Sequence, residues 1–265
     1  MLEGPTFDPT GGLFFSDVPN GGVYRLDLEH GTIDVIVPKR RGVGGIARHA
    51  DGGIVISGRD ISHVRDGVTR IVFAPDAPGL NDLTVDAEGR VICGTIRSDP
   101  FDLEAERTSG EAYLVGPDDV PTEIYGGVGL TNGMGFSPDG ATFYHADSTA
   151  GHIITHRVED GRFVDRGALT PGGRFTPDGL AVDTDGVVWV ADVAGGCVRA
   201  VDPTGGEVDR VDVPSTAVTS VCFGGDDGRD LYIVTADNTA EPDRAGSIFR
   251  TRVETPGLPV PLARV

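Results

Sequence analysis

The chain has 265 residues and a net charge of −19, from 41 acidic against 22 basic side chains. That length suits one large core, and the charge disfavours nucleic acid, whose phosphates need clustered Lys and Arg. No apolar run approaches the ~20 residues of a membrane helix, and the start "MLEGPTFDP" has neither the basic nor the apolar part of a signal peptide. A cytoplasmic chain with no membrane partner is expected.

The acidity is uneven: 30 Asp stand against 11 Glu, and 21 Arg against the single Lys39. Asp suits tight turns, where its short side chain bonds the local backbone. A weaker reading is adaptation to salt, or a negative field that attracts cations. Cys93, Cys197 and Cys222 form no CxxC pair and sit in apolar runs, so they are expected to be reduced and buried.

Along the chain, 40 Gly and 18 Pro cut the sequence into short pieces with almost no helical period. The runs "GGLFFSD", "GGIVISG", "GRVICGT" and "GVVWVAD" are β-branched or aromatic and follow Gly turns, which predicts strands. Gly11, Gly52, Gly89, Gly140 and Gly186 align as the openings of equivalent runs. Eight residues before them stand Glu3, Gly44, Asn81, Asn132 and Asp178, and a sixth unit aligned on its apolar strand adds Thr219. The intervals are 41, 37, 51, 46 and 41 residues. Four-stranded units of that size predict an all-β, six-bladed propeller of antiparallel blades, one domain over residues 1–265. The stretch from Ser98 to Gly110 reads as a lengthened loop of the third blade.

In a propeller the first strand of every blade lines the central channel. The residue just before each first strand then points at the channel mouth, so Glu3, Asn81, Asn132 and Asp178 are expected to converge. Two carboxylates and two amide carbonyls make a hard oxygen set. One divalent cation is expected there, Ca²⁺ first, with Mg²⁺, Mn²⁺ or Zn²⁺ as other occupants. Asn and Asp before Gly are also ordinary turn residues. Glu3 in "EGP" is a poor turn choice, which favours a side-chain role.

"EGPTFDP", "NDLTVDAEGR", "TNGMGFSPDG", "PDGLAVDTDGVVWVAD" and "CFGG", in that order, resemble the SMP-30/gluconolactonase/regucalcin family over nearly the whole chain. The resemblance implies a six-bladed propeller, one divalent metal at the channel mouth, and lactone hydrolysis. By position, Glu3, Asn132 and Asp178 look like the metal ligands, and Asn81 and Asp99 like substrate contacts. Gly79 stands where animal members often have an Arg that binds sugar hydroxyls. Arg59 and Arg97 are candidate replacements, or ordinary surface arginines. The family's usual segment before the Glu is reduced here to Met1 and Leu2. The C-terminal "GLPVPLARV" is a candidate cover for the open edge of the last blade.

The expected chemistry is metal-assisted opening of a small lactone, with Asp178 as the base and His145 in "FYHAD" as a further group near substrate. No GxSxG element supports a Ser nucleophile, and no P-loop or dinucleotide fingerprint is present. The alternatives are a phosphotriesterase-like hydrolase and a non-enzymatic calcium-binding propeller. A small-molecule substrate and a monomer or weak homo-oligomer complete the expectations.

Overall fold

The computed structural model describes residues 1–99 and 108–265. All regular structure among the described residues is β, in six antiparallel sheets. Blade one is β1 (Leu2–Asp8), β2 (Gly12–Asp17), β3 (Gly22–Asp27) and β4 (Ile33–Pro38). Blade two is β5 (Ile46–Arg48), β6 (Ile54–Ile56), β7 (Ile61–Arg65) and β8 (Val68–Phe73). Blade three is β9 (Gly79–Val85), β10 (Val91–Ile96), β11 (Gly110–Val115) and β12 (Pro121–Val128). Blade four is β13 (Thr131–Phe136), β14 (Thr142–Asp147), β15 (His152–Glu159) and β16 (Arg162–Leu169). Blade five is β17 (Pro177–Val182), β18 (Val188–Asp192), β19 (Cys197–Val201) and β20 (Glu207–Asp212). Blade six is β21 (Val218–Gly224), β22 (Asp230–Thr235) and β23 (Ile248–Arg252).

The strands of each blade pair in chain order. The first strands pack side by side in a closed ring: β1, β5, β9, β13, β17, β21 and back to β1. The molecule is thus the six-bladed propeller that the repeat predicts. Apolar clusters fill the spaces between neighbouring blades, as Val188 and Val190 of blade five do against Tyr144 and Ile153 of blade four. Both faces of each inner sheet are therefore covered, which suits the unbroken apolar runs.

Blade six has three strands among the described residues rather than the expected four. Past Arg252 the chain carries Pro256, Pro259 and Pro261, and proline cannot donate to a ladder. The C-terminal segment does not cover that blade's edge. Leu258 N donates to Val182 O, Ala263 N to Arg48 O and Arg264 N to Gly89 O. It therefore crosses the channel end where the first strands finish, from blade five to blades two and three. A cavity of about 570 Å³ runs from Asp82 to this segment, walled by Phe7, Leu83, Met134, Leu180 and Phe223.

The Asp-rich turns have a local cause. Asp147, at the end of β14, accepts from Gly129 N and Leu130 N. Asp192 accepts from Thr176 N, and Asp237 from Thr216 N and Ala217 N. In each case an Asp at or just past the end of the second strand holds the segment that leads into the first strand of the same blade.

Candidate functional site

The inner strands are irregular where the site lies. In β9 the pair Asn81–Asp82 faces one residue of β10. Asn132–Gly133 in β13 and Asp178–Gly179 in β17 do the same against β14 and β18. In β1 the same irregularity follows directly after Glu3. A bulge bends its strand and re-aims a side chain, so the bulges turn these residues toward the channel. Gly133 and Gly179 sit so close to β17 and β21 that a methyl at either would collide, with Leu180 N and Ser220 Oγ respectively.

Glu3, Asn132 and Asp178 are all buried. Asn132 Nδ2 donates to Ser148 Oγ at 2.7 Å, and Ser148 Oγ–H donates to Pro177 O at 2.5 Å. Because the Ser148 hydroxyl proton is committed, Ser148 must accept from Asn132, which fixes that amide with Oδ1 on the other side. There Asn132 Oδ1 accepts from Asn81 Nδ2, which also donates to Thr131 O at 2.9 Å. With both amide protons used, Asn81 turns its own Oδ1 toward Gly44. A methyl at Gly44 would collide with that oxygen. Thr219 Oγ1 donates to Leu2 O at 2.7 Å and ties blade six to the strand start that carries Glu3.

Charge is concentrated at this point. Burial first, then the neighbouring carboxylates of Asp178 and Asp82, holds Glu3 well above the usual carboxylate range. Burial and Asp82 do the same to Asp178. Burial pushes Asp82 up to about 7, against a single backbone donor, Leu83 N. Asp178 Oδ1 is buried with no hydrogen-bond partner. An orphaned carboxylate oxygen beside a second acid calls for a positive partner. Among the described residues no three His, Cys, Asp or Glu side chains are arranged to hold a metal. A cation here must therefore also draw on an amide oxygen, and Asn132 Oδ1 is the one presented. With that oxygen included, the donor set of Glu3, Asn132 and Asp178 fits one hard dication.

The other expected residues are placed differently. His145 is fully buried. Its Nδ1 bonds Tyr125 Oη and its Nε2 bonds Thr131 Oγ1, each at 2.7 Å. Burial pushes its imidazole down to about 3. It therefore stands behind Thr131, with no ring nitrogen left for a substrate, which corrects the expectation that it contacts one. The Arg97 guanidinium is committed to Glu111 Oε2 at 2.8 Å and to the Asp76 carbonyl. Arg59 is largely exposed, with Nε on Asp60 at 3.1 Å. Asp99 is exposed beside residues 100–107, and most of the loop expected between Ser98 and Gly110 lies outside the described residues. Cys93 and Cys197 are buried, and Cys222 is partly so. Asp82 was not singled out from the sequence. Its signal was the residue after the site position, which is Gly in four other blades and Asp only here.

The profile of the SMP-30/Gluconolactonase/LRE-like region matches residues 1–237. A pentonolactonase of Haloferax volcanii is 33% identical over 97% of this chain and 92% of its own length. A 6-deoxy-6-sulfogluconolactonase of Pseudomonas putida is 31% identical over 94% and 90%. Among solved structures, a calcium-binding protein, regucalcin, of Agrobacterium tumefaciens superposes with a TM-score of 0.85. It is 24% identical and is covered over 94% of its chain by all of this one.

Proposed function

The chain belongs to the SMP-30/gluconolactonase/LRE-like family, and from that premise we propose that it hydrolyses a small lactone at the Glu3, Asn132, Asp178 site with one divalent cation, Ca²⁺ first. The observation that carries the reading is Asp178 Oδ1, a buried carboxylate oxygen with no partner at the end of the channel. The names of two relatives, a pentonolactonase and a sulfogluconolactonase, favour a sugar-acid lactone.

Glu3, Asn132 and Asp178 would hold the ion. A bound dication supplies Lewis-acid polarisation of the carbonyl and acidifies water. Asp178 takes the proton of the attacking water as its oxygen bonds to the carbonyl carbon. The acyl–oxygen bond of the ring then breaks, and the same proton passes from Asp178 to the departing ring oxygen, leaving a hydroxy acid. Asn132 keeps its orientation throughout, because Ser148 and Asn81 engage both ends of its amide. Asp82, half-buried in the channel wall, adds negative charge that strengthens the pull on a cation.

The test is a panel of pentono-, hexono- and aliphatic lactones, assayed with chelator and after restoring Ca²⁺ or Mn²⁺. Chelator-sensitive hydrolysis, greatest on a sugar-acid lactone, is expected. No hydrolysis with any divalent ion would sink the reading and favour ion binding alone.

A further inference from the structure

We propose that His145 is a positioning residue: with Tyr125 it fixes Thr131, and through Thr131 it sets the placement of Asn81 and Asn132. The inference rests on the reading of Asn132 as a cation ligand.

His145 lies on β14 and bridges two blades. Tyr125, its partner at Nδ1, belongs to the outermost strand of blade three. Thr131, its partner at Nε2, opens the innermost strand of blade four and directly precedes Asn132. Tyr125 is itself fixed, with its ring stacked on His156 at 4.3 Å between centroids. Thr131 is closed in on another side by Gly94 of β10, where a methyl would strike its Oγ1 and Cβ. The Thr131 carbonyl then receives Asn81 Nδ2, which also donates to Asn132 Oδ1. Both amides of the site are thus referenced to one threonine, and that threonine's hydroxyl to one imidazole. Glu3 and Asp178 have no hydrogen bond into this chain of contacts.

A neutral imidazole donates from one nitrogen and accepts at the other. That requirement makes glutamine the conservative replacement, since one amide can also donate and accept. Leucine can do neither, and it leaves the Thr131 and Tyr125 hydroxyls without their shared partner. Loss of a residue that orients a metal ligand typically weakens metal affinity about 10- to 100-fold.

The test measures Mn²⁺ affinity by electron paramagnetic resonance, together with the thermal midpoint, in the full chain. The variants are His145→Leu, His145→Gln, Tyr125→Phe, Asn132→Ala and, as a destabilised control in blade six, Leu231→Ala. His145→Leu should raise the Mn²⁺ Kd about 10- to 100-fold. His145→Gln should recover most of that loss, and Leu231→Ala should leave Kd unchanged despite a lower midpoint. Tyr125→Phe, which removes one hydroxyl, should weaken binding less in the same direction, and it carries the test if His145→Leu does not fold. Wild-type Kd in His145→Leu, or in Tyr125→Phe where that variant carries the test, beside lost binding in Asn132→Ala overturns the positioning role alone. An equal rise in Leu231→Ala also overturns it, since general loosening then explains the effect. Wild-type Kd in Asn132→Ala overturns the cation-site reading, and this inference with it.

Discussion

Asn81 donates its amide Nδ2 to Asn132 Oδ1 at 2.5 Å across 51 residues of sequence. The two residues occupy equivalent positions in successive blades, yet one presents an oxygen to the channel and the other holds it in place. The remaining equivalents divide the work further. Glu3 and Asp178 bring carboxylates, Gly44 leaves room for the Asn81 oxygen, and Thr219 closes the ring on Leu2.

Asp178→Asn separates proton transfer from ligation. The amide keeps an oxygen for the ion and loses the proton acceptor. At saturating Ca²⁺ or Mn²⁺, kcat on the best lactone should fall on the order of 10²- to 10⁴-fold. A kcat near wild type would make Asp178 a ligand only.

Gly44→Ala tests the cradle. The new methyl must displace Asn81 Oδ1, and with it the donor to Asn132. The methyl also lies 3.0 Å from the Asn81 backbone carbon, so β9 must give by a few tenths of an ångström at most, and the expected result is weaker Mn²⁺ binding with an unchanged far-ultraviolet spectrum. Binding equal to wild type would show that Asn132 needs no help from Asn81.

Buried acids make the metal-free protein pH-sensitive. Asp82 titrates near 7 when folded against an ordinary 3.8, and Glu3 and Asp178 shift the same way. A raised carboxyl contributes stability that is complete below its unfolded value and lost as pH rises through its folded value. Chelated protein should therefore be less stable at pH 8 than at pH 5, by ~1.4 kcal/mol for each unit of a folded carboxyl's raise that lies between these two pH values. Added Ca²⁺ should restore the thermal midpoint more at pH 8 than at pH 5. A chelated midpoint that does not fall between these pH values would remove this electrostatic picture.

The net charge of −19 sets a salt dependence. Like charges repel within a Debye length, about 10 Å at 0.1 M and about 3 Å at 1 M salt. The thermal midpoint should rise between 0.1 and 1 M KCl. A flat response would mean that the local turn bonds of the Asp residues already absorb the charge.

The sequence by itself determined the blade number, the register of the first strands and the oxygen-bearing residues at their starts. A propeller repeats one local unit, so period and turn chemistry are written along the chain. What lies between blades was decided only by tertiary structure. β14 is buried on both faces, every residue from Phe143 to Asp147 included, so its alternation carries no inside or outside by which to place His145. Gly44 reads as an unused site position until Asn81, 37 residues later, folds against it. Asp82 follows a ligand-like Asn in sequence, and only the closed ring brings it near Glu3 and Asp178. The route of the C-terminal segment follows from its prolines, which deny it a ladder, and from backbone partners that exist only once blades two, three and five stand around one channel.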